Sequence, residues 1–158
     1  MSGGTDAIYS RLRGAGIVLP APPRPVANFV THAQEGSLLF LSGQGPQTET
    51  GHFHTGKVGS EVTVAEAYAH ARLVGINLLA VLHSALGDLG RVRRVIKLLG
   101  MVNAAPDFTD HPLVIDGCSD LFVEVFRDAG HHARSAVGLG SLPRNITVEI
   151  EAVVAIKE

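Results

Sequence analysis

Residues 133–156 read ARSAVGLGSLPRNITVEIEAVVAI. Two β-type runs flank a turn at Ser141-Leu142-Pro143-Arg144-Asn145, whose proline and asparagine are ordinary turn residues. From Thr147 onward, side chains alternate between two faces. Val148, Ile150, Ala152, Val154 and Ile156 form a core-facing row, while Thr147, Glu149, Glu151, Val153 and Ala155 form the opposite one. Both carboxylates therefore leave the core on the same side. In the preceding run Arg134 shares a face, read as non-core, with Ala136, Gly138 and Gly140, small neighbours that leave room beside a guanidinium. A hairpin turning near Ser141 or Leu142 would bring Arg134 close to Glu149; the sequence does not fix its register.

Working back along the chain, Thr63-Val64-Ala65-Glu66 is a capping box. Behind it Val64, Ala67, Tyr68, Ala71, Val74, Leu78, Val81, Leu82 and Ala85 recur at helical spacing until Gly87. Residues 93–102 read as a strand. A second helix is expected from Thr109 or Asp110, with Pro112 in its first turn and Val114, Cys118, Leu121, Phe122, Val125 and Phe126 as its buried stripe, ending at Gly130. Upstream, residues 26–30 read as a short strand and 37–42 as a firmer one, with Glu35-Gly36 turning between them. Gly43-Gln44-Gly45-Pro46 breaks that strand, and residues 47–59 form a polar loop. Residues 1–16 carry a short helical pattern with Ile8, Leu12 and Ala15 on one side, closed by Gly14 and Gly16. Residues 19–25 hold four prolines in seven positions. That density suits an extended path, either a strap over the domain or a terminal linker. The order is strands, helix, strand, helix, strands: one α+β domain at residues 26–158 with two helices on one face of a mixed sheet, preceded by the helix and strap of residues 1–25.

Hydrophobic residues make up 46% of the 158, charged residues only 18%. So apolar a surface would be absorbed by a subunit interface, so an oligomer is expected. A net charge of −2 gives no electrostatic case for nucleic acid. The single Cys118 excludes an intrachain disulfide and fits a reducing compartment. No signal peptide and no apolar run long enough to span a membrane is read, so a soluble, cytoplasmic protein is expected.

Arg134 offers a planar fork of donors that matches a carboxylate. On residues alone, an ion pair with Glu149, Glu151 or another subunit accounts for it more simply than a ligand. On residues alone Glu149 is a solvated outer-face residue, as Glu151 is read to be. Gly43 and Gln44 shape a cleft wall or simply end a strand. His52-Phe53-His54 and His131-His132 stand without HExxH or Cys-His spacing, so surface histidines are the expectation and no metal site is assigned. No cofactor is called for. Ser42 and Ser135 lie outside any nucleophile-elbow sequence.

Ala133-Arg134-Ser135, Leu142-Pro143 and Val148-Glu149-Ile150-Glu151-Ala152-Val153 resemble the carboxyl-terminal signature of the RidA family, also called YjgF or endoribonuclease L-PSP. Ser42-Gly43-Gln44-Gly45-Pro46 is similar to the family's Ser-Gly-Gln-x-Pro. The resemblance covers most of residues 26–156, and the order and spacing of the motifs carry it. It implies a chorismate-mutase-like fold, usually a homotrimer with ligand clefts between subunits. It also implies a cofactor-independent hydrolase that deaminates reactive 2-imino or 2-enamino acids to 2-oxo acids and ammonia. In that reading Arg134 binds the substrate carboxylate, Glu149 positions the attacking water, and Phe29, Gly43, Gln44 and Ala136 line the site. Phe29 stands where typical members have tyrosine and Ala136 where many have cysteine. The family's helix-two asparagine has no placed counterpart, Ile115 falling there with Asp116 beside it. These departures make a specialised subgroup. The alternative is a metabolite-binding protein of the same fold, without turnover. A ribonuclease or translation-inhibitor role finds no basic patch interleaved with aromatics.

Overall fold

A computed structural model describes residues 3–158; Met1 and Ser2 lie outside the described residues. Three α-helices, α1 (Gly3–Gly14), α2 (Val64–Leu86) and α3 (His111–Phe126), accompany five strands, β1 (His32–Glu35), β2 (Leu38–Gln44), β3 (Val92–Asn103), β4 (Ala133–Leu139) and β5 (Val148–Ile156). The strands form one sheet in the order β1-β2-β5-β3-β4, antiparallel except for β3 and β4, which run parallel. This is the α+β plan expected, with a mixed sheet and α2 and α3 packed on one of its faces.

The capping box opens α2: Glu66 N–H donates to Thr63 Oγ1 at 3.2 Å and Thr63 N–H donates to the Glu66 carboxylate at 2.8 Å. Gly87 closes the helix in the left-handed conformation, φ 75°. Pro112 sits in the first turn of α3, where its missing N–H costs nothing. That helix stops at Phe126, and a 3₁₀ turn, Arg127–Gly130, covers the rest of the expected span. Val74, Leu78 and Leu82 of α2 and Ile115, Cys118 and Phe122 of α3 bury against Leu98, Val148, Ile150 and Val154 of the sheet. Each such side chain contributes about 1.5–3 kcal/mol on burial. Ile8 and Leu12 of α1 join the same core. By length and composition α2 is long and apolar enough to cross a membrane, contrary to the sequence expectation; here its buried residues pack into that core.

Three expectations need correcting. The first strand is His32–Glu35, not residues 26–30. Val26 and Val30 are 81% and 59% exposed, following a stretch whose prolines cannot donate to a ladder. The chain then turns at Gly36 (φ 58°) and pairs Glu35 with Leu38. Second, β4 and β5 do not form a hairpin. With α3 as its crossover, β4 pairs in parallel with β3, and β3 also pairs with β5, so β3 lies between the two. Third, Arg134 is on the helix-bearing face rather than the outer one, because it stands opposite Leu98, which stands opposite the core residue Ala152. On β5 the core row is buried as read, and Glu149 and Glu151 do leave on the other side, although Thr147 and Ala155 of that row are also buried.

Helices α2 and α3 cross closely because Gly117 has no side chain: a Cβ there would press into the Tyr68 carbonyl. Gly117→Ala is therefore expected to lower stability to urea by about 2 kcal/mol despite alanine's better helix propensity. Gly140→Ala, whose Cβ would meet nothing within 4 Å, should stay within about 0.5 kcal/mol of wild type.

Candidate functional site

A cleft of about 980 Å³ opens where β2 ends. The β2–β5 register shifts between Leu41 and Gln44, a bulge that interrupts the ladder at Ser42 and Gly43. Ser42 Oγ donates to the Val30 carbonyl at 2.6 Å and its N–H to Thr31 at 2.9 Å, which holds the segment carrying Phe29 beside the bulge. The missing side chain of Gly43 makes room for Glu149: a Cβ there would lie 2.6 Å from Glu149 Oε2. The loop after β2 is pinned by Asn77 of α2, whose Nδ2 donates to the Gly45 and Gln47 carbonyls, both at 3.1 Å. Residues 16–26 form the outer wall; among the described residues 18–26 make no hydrogen bond to the rest of the chain and are held by packing of Ile17 and Leu19 on the core.

Four of the expected site residues, Phe29, Gly43, Gln44 and Glu149, line this one cleft. Glu149 is half-buried and accepts no hydrogen bond within the described residues. Burial first, and the neighbouring Glu151 carboxylate second, push its pKa above the ordinary value of 4.5. Arg134 and Ala136 are elsewhere. Arg134 lines a second, shallower depression of about 580 Å³ with Ser119, Arg127 and His132. Its guanidinium donates to Asp116 at 2.8 Å and to Ser119 Oγ at 3.1 Å. Ala136, opposite Gly100 on β4, packs against the core. Arg134 and Glu149 thus lie two strand spacings and three residues of β3 apart, roughly 14 Å, on opposite faces of the sheet within one chain.

The histidines have other partners. His54 stacks on His70 with ring centroids 4.1 Å apart, and burial, then His54, lowers the His70 pKa to about 4. His132 bonds Ser119 through Nε2 at 2.9 Å and the Gly130 carbonyl through Nδ1 at 2.6 Å.

Sequence reading missed Phe53, Asn77 and Arg144, which also line the cleft. Arg144 was read only as part of a turn. Its signal was proximity: it stands five residues before Glu149, so a short turn into β5 returns it to the same end of the sheet.

A carboxyl whose pKa is raised on folding stabilises the fold in its protonated form, and that contribution is lost as pH rises from 4.5 through the folded value. Glu149→Gln removes this loss. The melting temperature of the variant relative to wild type should therefore climb as pH is raised from about 4 towards 7. A difference independent of pH would show that Glu149 is not desolvated as described.

Comparison with known proteins agrees with this architecture. A family model described as "YjgF/chorismate mutase-like, putative endoribonuclease" matches residues 9–152. Protein TCP17 of Trypanosoma cruzi is 41% identical over 148 residues, covering 93% of this chain and 92% of that one. A 2-iminobutanoate/2-iminopropanoate deaminase of Dermatophagoides farinae is 29% identical, over 89% of this chain and 95% of its own. The crystal structure of Atu1372 from Agrobacterium tumefaciens, a protein of unknown function, superposes with a TM-score of 0.90 at 45% identity, covering 99% of this chain and 97% of that one. The split β4–β3–β5 arrangement, the Ser-Gly-Gln bulge and the Glu149 cleft are thus features of a chain that belongs to the RidA family, the YjgF/chorismate mutase-like proteins.

Proposed function

We propose that the protein hydrolyses small reactive 2-imino or 2-enamino acids to 2-oxo acids and ammonia, without a cofactor, in clefts completed by neighbouring copies of the chain in a homotrimer. The observation that carries this reading is Glu149: a half-buried carboxylate with raised pKa and no hydrogen-bond partner among the described residues, lining a cleft. Such a group accepts a proton from water as the water oxygen bonds to the electrophilic imine carbon. It then returns that proton to nitrogen, and the carbinolamine's C–N bond breaks with release of ammonia while the hydroxyl proton passes back to the carboxylate, leaving the carbon with its oxygen as a ketone. Because the iminium carbon is already electrophilic, positioning and electrostatics suffice. The likeness to a relative named as a 2-iminobutanoate/2-iminopropanoate deaminase supports the reaction class.

In this reading Arg134, on the edge strand, binds the substrate carboxylate in the cleft of an adjacent copy. The exposed outer face of the sheet, with Phe40 46% and Val137 41% accessible, is a surface suited to such an assembly. One observation favours a second reading, metabolite binding without turnover. Arg134 already holds the Asp116 carboxylate at 2.8 Å, so an incoming carboxylate must share or displace it.

The test is ammonia release from 2-imino acids generated in situ by an amino-acid oxidase. Wild type should accelerate release above the spontaneous rate. Glu149→Gln should lose about 100-fold or more of that acceleration, and Arg134→Ala should abolish it at low substrate concentration. No acceleration with any side-chain type would overturn the deaminase reading, and carboxylate binding retained without turnover would establish the second.

A further inference from the structure

The cleft holds more than a three- or four-carbon imino acid requires. At about 980 Å³ it lies in the range of sites that enclose far larger ligands. Its polar groups are spread along its length, from Glu149 and Gln44 at the bulge to Arg144 at the rim.

Arg144 is held in place. Its backbone is left-handed (φ 55°, ψ 19°), as is that of Asn145 (φ 57°), a costly conformation for residues other than glycine. Hydrogen bonds from Asn145 N–H to Leu142, Ile146 N–H to Pro143 and Gly56 N–H to Asn145 fix the turn. Buried Asn103 adds a bond from Nδ2 to Asn145 Oδ1 at 2.9 Å. The guanidinium lies 5.5 Å from the centre of the Phe53 ring. Phe53 is itself settled by its bridge to Gln47 and by Gly45, where a Cβ would meet the ring at 3.2 Å. Stacking on an aromatic ring occupies the flat face of a guanidinium and leaves its N–H edge free. Among the described residues that edge has no carboxylate within 4 Å: the ion pairs are Arg72–Glu124 and Arg134–Asp116.

Gln44 supplies an independent observation. It is only 8% exposed, it lines the cleft, and its side-chain amide makes no hydrogen bond among the described residues. Its amide atoms are not sealed inside the core but open to the cleft, where they are free to meet a polar ligand group. Leu73, Ile76 and Ile146 give the same cleft an apolar lining. The other charged lining groups are Glu49 and Arg24, both exposed, the latter on the unbonded strap.

We infer that Arg144 reads a second acidic group on the ligand, so that the cleft takes short aliphatic dicarboxylates, including 2-oxo and 2-imino dicarboxylic acids, in preference to their monocarboxylic counterparts. This names the substrate class of the site proposed above and rests on that cleft being the ligand site; it does not require turnover. One carboxylate pairs with Arg144, the methylene chain lies along Leu73 and Ile76, and the functional end reaches Gln44 and Glu149.

The test is calorimetric binding of two stable probes of equal chain length, 2-oxoglutarate and 2-oxopentanoate. Wild type should bind 2-oxoglutarate about tenfold more tightly. Arg144→Asn, which keeps a residue tolerant of the left-handed turn, should remove the difference and leave 2-oxopentanoate unchanged. Equal binding of the two probes, a preference that survives in Arg144→Asn, or binding of neither would overturn the inference. If the preference is present while no imino acid is hydrolysed, the deaminase reading fails and the dicarboxylate site stands.

Discussion

The insertion of β3 between β4 and β5 governs this molecule. Both outer strands come from one continuous stretch of sequence, yet each hydrogen-bonds to β3 and neither to the other. The crossover helix α3 forces β4 to run parallel to β3, and the chain must then pass over the end of β3 to enter the sheet as β5. That passage is the turn at residues 142–146, tied to the 54–58 loop by backbone bonds and to β3 by Asn103. Once β5 lies between β2 and β3, its apolar row lies under α2 and its carboxylates project from the other face beside the β2 bulge.

The functional consequence is a division of labour. The Glu149 carboxylate belongs to the centre of the sheet and the Arg134 guanidinium to its edge, on the opposite face. Within one chain the two groups are therefore separate, with Arg134 engaged by Asp116 and Ser119. The turn that makes the crossover also delivers Arg144 to the cleft, so one covalent connection closes the topology and furnishes a cation near Glu149.

Much of this was legible in the residues. Period-two alternation from Val148 to Ile156 fixed which side chains enter the core, and Thr63 with Glu66 marked the start of α2 to the residue. Strand order was not legible, since alternation says which face a residue takes but nothing about which strand lies alongside. Reading residues 133–156 as a hairpin assumed that neighbours in sequence pair in space, and long-range pairing with β3 overrode it. The same assumption put Arg134 on the wrong face. The strand expected at residues 26–30 failed for a local reason, the proline-dense approach. Phe53, Asn77 and Arg144 escaped notice because a site on loops is defined by convergence, and convergence has no periodic signature.

The outer wall of the cleft differs in kind from its floor. Residues 18–26 contribute nothing to the hydrogen-bond ladder and little to the buried core, while Gln44 and Glu149 are paired in the sheet and Gly43 sits in the bulge beside them. Wall and floor are thus decoupled: the strap can be shortened, lengthened or rewritten without disturbing the sheet that presents Glu149. Ligand choice can thus vary through these nine positions while the sheet beneath is unchanged, and an engineer can exploit the same modularity by grafting alternative straps onto the domain.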